Sequence, residues 1–231
     1  MSPLKRRGVP SDWLILTGLL LLSTVPAIAG VLRISGLIGG VQKIADDARF
    51  FAQPAPVVVH IVAVTLYAIL GAFQFAPRIR RRHPRWHRGA GRVLVPCALV
   101  TALTGLWMNQ VYLRIPTDSA ALYGLRLAVG AGILAAVALA VAALRRRDFP
   151  AHGAWMIRAY ALAQGAGTQV LTFLPWFIVI GGAPGPGVRA GLMGLAWIIN
   201  IALAEWVISA TLNPSSAGSR APVRAASDTP I

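Results

Sequence analysis

The sequence is short of the residues that build disulfide scaffolds and most soluble active sites. Cys97 is the one cysteine among 231 residues, so neither an internal disulfide nor a cysteine-based metal spacing can form. Acids are scarce: seven Asp and Glu in all, with Glu205 the sole glutamate. Charged residues make up 13% of the chain, against about 25% in an ordinary soluble domain. No HExxH, Gly-rich phosphate loop or nucleophile elbow occurs, which removes the zinc-protease, P-loop and α/β-hydrolase readings.

What the chain has is apolar length and positive charge. It is 56% hydrophobic, with a mean hydropathy of +0.66 and a net charge of +15. A soluble protein this basic would suggest nucleic acid. In an apolar chain the arginines mark cytoplasmic loops instead, and no nucleic-acid partner is expected. Six runs, near 13–34, 57–77, 93–115, 123–144, 159–180 and 190–212, are close to the ~20 residues that cross a bilayer core. They lack the alternation of barrel strands, so they read as helices. The expected fold is an all-α bundle of six transmembrane helices in one domain over 1–212, followed by a disordered Ser/Ala/Pro-rich tail over 213–231.

The placement of basic residues orients the bundle. With the N-terminus inside, sixteen Lys and Arg fall on the inner side and six on the outer. Both termini are therefore expected in the cytoplasm, the protein being a multi-pass component of the inner cell membrane. The stretch RIRRRHPRWHRGAGR, residues 78–92, carries seven arginines and no acid, and becomes an inner loop whose first half meets anionic lipid head groups. Lys5, Arg6 and Arg7 followed by an apolar run and Ala27-Ile28-Ala29 leave a cleaved leader open beside a retained first span. Residues 41–51 read as a short surface helix, 181–188 as a tight Gly/Pro turn, and Pro175 as a kink in the fifth span.

Polar residues at membrane depth are the candidates for function. Glu205, in the inner half of the sixth span, needs a partner, expected among the arginines or histidines at the inner ends of the third and fifth spans. Asn200, about 1.5 turns earlier, is expected to share much of its direction. Gln74, Gln164 and Gln169 are either interhelical glue or part of a working site. His60 lies near the outer surface, at a depth comparable with Arg126, Asn109 and Gln110. His83, His87 and His152 lie on the inner side. Two facing imidazoles, His87 and His152, could ligate haem iron, with Arg88, Arg92 and Arg158 receiving the propionates. A proton relay through Glu205 is the alternative use.

The order His60-Ile61, Gly71-Ala72-Phe73-Gln74-Phe75, Arg81, HRGAGR (87–92), RDFPAHGAWMIRAY (147–160), Trp197, Asn200, Glu205 resembles a bacterial membrane-protein family, domain of unknown function 2306, over roughly 57–208. RDFPAHGAWMIRAY is its most specific piece. The family's pattern maps onto His60, Gln74, His87, Arg88, Gly91, Arg92, His152, Trp155, Met156, Arg158, Asn200 and Glu205. Two positions depart from it: Gly153 stands where a basic residue is common, and Gln164 and Gln169 occupy a region where an arginine is common. The resemblance implies a multi-helix membrane protein and no particular activity. The layout is also similar to that of ascorbate-reducible transmembrane cytochromes b, an analogy of fold. The expectation is thus an integral membrane protein, with haem-b redox chemistry at the cytoplasmic side as the leading mechanism. The alternatives are a proton-coupled transporter using Glu205 and a non-catalytic assembly or lipid-binding protein.

Overall fold

A computed structural model describes residues 12–40 and 48–212, and among these every regular element is a helix. In chain order they are α1 (Asp12–Ile38), α2 (Ala48–Ala52), α3 (Pro54–Gln74), α4 (Pro77–Arg82), α5 (Pro84–Val111), α6 (Ala120–Arg145), α7 (Phe149–Ala163), α8 (Gly165–Ile180) and α9 (Pro186–Leu212). Large apolar side chains such as Ile178, Ile198, Leu203 and Trp206 face outward. That inverts the soluble pattern and suits a bilayer.

Local chemistry sets the helix ends. Proline opens α3, α4 and α5, where its missing N–H costs nothing. Ser119 caps α6 by accepting the Leu122 N–H at 3.1 Å, and Asp148 caps α7 by accepting the Ala151 N–H at 3.0 Å. Gly181, at φ 73°, closes α8 in the left-handed conformation. The arginine-rich stretch differs from expectation: it is helical, forming α4 and the first turns of α5 rather than a loop. Hydropathy registers where lipid begins, and a polar segment can continue the same helix beyond that point. Of the expected surface helix, 48–52 is helical, and 41–47 lie outside the described residues, as do 1–11 and the tail 213–231. Helix α1 runs unbroken through Ala27–Ala29 and packs on α3 and α8.

The fifth span is longer than expected and broken at Gln164. Residues 149–180 would reach about 48 Å as one straight helix, well beyond the ~30 Å hydrocarbon core. The chain instead bends by 45° between α7 and α8 at Gln164, while α8 continues helical through Pro175. Counting this bent pair as one span, six spans among the described residues are long and apolar enough to cross a membrane. Close approach accompanies the break: a side chain at Gly167 would run into the Leu22 carbonyl of α1, so only glycine lets the two backbones meet there.

The core is built on small residues. On α6, Gly130, Ile133, Ala136, Val137, Ala140 and Ala143 form one buried stripe at three- and four-residue spacing. Tyr160 of α7 fills the space this leaves. Its ring lies against Gly71, 5.7 Å from the Tyr67 ring and 4.7 Å from Phe75, and its hydroxyl donates to the Ala68 carbonyl at 2.7 Å.

Candidate functional site

The bundle has two chemically distinct ends. The basic end carries α4, the start of α5, the α6–α7 connection and Glu205. The opposite end carries α2, the 112–119 segment and the start of α9.

At the basic end, His87 sits in the first turn of α5 and His152 in the first turn of α7, near enough to each other to interact electrostatically. His152 holds its Nδ1 3.0 Å from the Ala140 carbonyl, which leaves Nε2 for another partner. The Nδ1 of His87 is buried and finds no hydrogen-bond partner among the described residues, and the same holds for Nε2 of Gln74. Arg88 and Arg92 are exposed. Arg158 is engaged: its Nε and Nη2 donate to the two Glu205 oxygens at 2.6 and 2.8 Å, while its guanidinium lies 4.5 Å from the Trp155 ring centre. Glu205 thus finds its partner in α7, at the basic end and on the exposed surface of the bundle. Among the described residues, no three His, Cys, Asp or Glu converge on a common metal position.

Asn200 does not share the direction of Glu205. Five residues turn a helix by about 140°, so Asn200 is buried while Glu205 is exposed. Its Nδ2 donates to the Ala161 carbonyl at 3.0 Å and its Oδ1 accepts from Thr168 at 2.7 Å. Asn200 therefore spans the α7–α8 break and satisfies a last-turn carbonyl of α7, a group that helix geometry leaves without a partner. Gln164, at the break, donates through Nε2 to Ser23 of α1 at 2.9 Å and to the Tyr160 hydroxyl at 3.2 Å. Gln169 points elsewhere, into a cavity. The two glutamines and Glu205 occupy three separate surroundings.

That cavity, about 360 Å³, lies towards the opposite end, between α3, α5, α6, α8 and α9. Arg49, His60, Asn109, Asp118, Arg126 and Gln169 bring polar groups to its wall. Leu106, Ile133, Leu162, Met193 and Trp197 supply the apolar part. His60 places Nδ1 2.9 Å from Thr104 Oγ1, and the Thr104 hydroxyl donates to the Val100 carbonyl at 2.6 Å. With its proton directed to Val100, the Thr104 oxygen is free to accept from the His60 ring.

The edge of the cavity is built from contacts distant in sequence. Asp118 lies 3.2 Å from Arg126 in an ion-pair contact without hydrogen-bond alignment, and 3.5 Å from Arg49. Arg49 also donates to the Leu113 carbonyl at 3.3 Å. Tyr112 donates to the Gln53 carbonyl at 2.6 Å, and burial pushes its hydroxyl pKa upward, which keeps it a neutral donor. Arg189 donates to Thr117, and Arg114 lies 4.5 Å over the Tyr123 ring. Sequence reasoning brought His60, Arg126 and Asn109 to one depth but missed Asp118 and Arg49. The available signal was Asp118 itself, one acid in an arginine-bearing connection.

The sequence profile of the family described as "Predicted membrane protein (DUF2306)" matches residues 57–208. No curated protein and no solved structure matches the chain. The matched segment contains most of α3, all of α4 to α8 and most of α9, hence both ends of the bundle.

The Arg158–Glu205 pair yields a stability prediction. Glu205→Gln and Arg158→Gln should each lower the melting temperature in detergent. The double variant should recover part of the loss, with a coupling of roughly 0.5–1 kcal/mol, because the pair is partly exposed. Additive losses would remove the pair from the account of stability.

Proposed function

We propose that this chain, which belongs to the DUF2306 family of predicted membrane proteins, binds a small molecule in the cavity at the end opposite its arginine-rich helices. The observation that carries this reading is a cavity within the span region that gathers His60, Asn109, Arg126 and Gln169 among apolar walls. Polar and ionisable groups at membrane depth are expensive, and apolar pockets with a few convergent polar groups are the usual form of a ligand site. Ala166 of α8 faces the same cavity. Organic extraction of the purified protein should release a bound small molecule that mass spectrometry detects. Ala166→Phe, which fills the cavity, should lose that molecule while keeping its elution profile. Equal yields from both proteins would sink the reading.

The orientation that accompanies this proposal puts the basic end in the cytoplasm of the inner cell membrane, with Arg80, Arg81 and Arg82 of α4 at anionic head groups and the cavity mouth outside. In a Cys97→Ser background, Arg114→Cys should react with a membrane-impermeant maleimide in intact cells. Reaction only after permeabilisation would reverse the orientation.

A second reading concerns the basic end, favoured by the buried, unpartnered Nδ1 of His87 beside a His152 ring held by the Ala140 carbonyl. These two imidazoles are the pair that would hold haem b, and an oriented ring is what a metal-bound histidine needs. Bound there, haem would supply one-electron transfer. Arg88 and Arg92, both exposed at this end, would receive the propionates, whereas Arg158 is already committed to Glu205. Protein expressed with ample haem should show a Soret band that His87→Ala and His152→Ala each abolish. A colourless wild-type protein would end this reading.

A further inference from the structure

We propose that the ligand of the cavity is an amphiphilic anion, whose carboxylate or phosphate is held by Arg126 and Arg49 where Asp118 stands between them. This rests on the ligand-binding reading above and names the chemistry of the ligand. Three arginines, the half-buried Arg49 and Arg126 and the exposed Arg114, line the cavity, and among the described residues Asp118 is the one acid that lines it with them. A fourth, Arg189, adjoins through its bond to Thr117. A guanidinium cannot shed its proton at any ordinary pH. Positive charge that is partly withdrawn from water must therefore be offset by an anion.

Asp118 meets this demand incompletely. It is shared between two arginines, at 3.2 and 3.5 Å, longer than the 2.7–2.9 Å of a strong charge-assisted bond. Arg49 keeps a buried Nε with no acceptor among the described residues. Asp118 Oδ1 is likewise buried without a hydrogen bond among the described residues, so the carboxylate and the donors around it are misaligned, and the Arg49 Nε is left for an oxygen placed elsewhere. The remaining lining is apolar and aromatic, from Leu106, Ile133, Leu162, Met193 and Trp197, and suits a hydrocarbon or ring. A cationic amphiphile would meet three like charges at the same wall.

The test compares octanoate, octanol and octyltrimethylammonium by calorimetric titration of the full chain in phosphatidylcholine nanodiscs, with the Ala166→Phe protein titrated alongside to subtract partition into lipid. Octanoate should bind at least about tenfold more tightly than either other probe. Arg126→Gln should weaken octanoate by a similar factor, and Asp118→Asn, which removes the competing carboxylate, should tighten it. If Arg126→Gln does not fold, Asp118→Asn decides: unchanged or weaker octanoate binding overturns the proposal. Octanol binding as tightly as octanoate, with both lost in Ala166→Phe, overturns the anion and leaves the ligand-binding reading standing. Failure of all three probes overturns the amphiphilic anion, and only an empty organic extract would then remove the ligand site as well. Repeating the titration in phosphatidylglycerol nanodiscs separates two sources of the same chemistry. Weakened octanoate would identify an anionic lipid head group and unchanged octanoate a free amphiphile, and either supports the proposal.

Discussion

Lipid gives helices no reason to leave it, since its tails are as apolar as leucine; helices associate through close packing and a few buried hydrogen bonds. This constraint runs through the whole molecule. The alanine stripe of α6 lets α5 and α7 come close on either side. Gly71 makes room for the Tyr160 ring, which ties α7 to α3 through the Ala68 carbonyl. Gly167 lets α8 touch the backbone of α1. Larger side chains at these points would push helices apart and leave Tyr160 and Gln164 without their partners.

The break at Gln164 opens a cavity in that packing. A bend of 45° carries α8 away from the line of α7. The cavity lies beside this bend, lined by Leu162 and Ala163 before it, Ala166 and Gln169 after it, and Met193 and Trp197 of α9. The polar groups exposed by the break are answered from neighbouring helices: Gln164 reaches Ser23 of α1, and Asn200 of α9 reaches Ala161 and Thr168 on the two sides of it. The amides of Gln164 and Asn200 thus act as interhelical glue and hold the bend.

Charge is divided between the ends. At the basic end many arginines are exposed, as charges facing head groups and water would be. At the other end fewer arginines are present, and two of them, Arg49 and Arg126, are drawn inward around Asp118 and the cavity. The density of positive charge in the sequence therefore directs attention to the end where it is solvated and inexpensive, whereas the costlier arrangement lies where arginines are sparse.

Much of the architecture is legible in the order of residues alone. Apolar runs of bilayer length identify the spans, their lack of alternation makes them helices, and Glu205 at membrane depth demands an arginine, which Arg158 supplies. These follow locally, because hydropathy, helix length and the cost of a lone charge depend on a short window of chain. Tertiary structure decided the rest. It added a break in the fifth span at Gln164, where a contact with α1 and a bond from α9 stabilise the bend. It turned Asn200 away from Glu205, because five residues rotate a helix through a large angle and only packing says which face is buried. It brought Arg49 and Arg126 to Asp118 across 69 and 8 residues of chain. Such a site depends on how close the helices come and on how each is rotated about its axis, and both are set by neighbours far away in sequence.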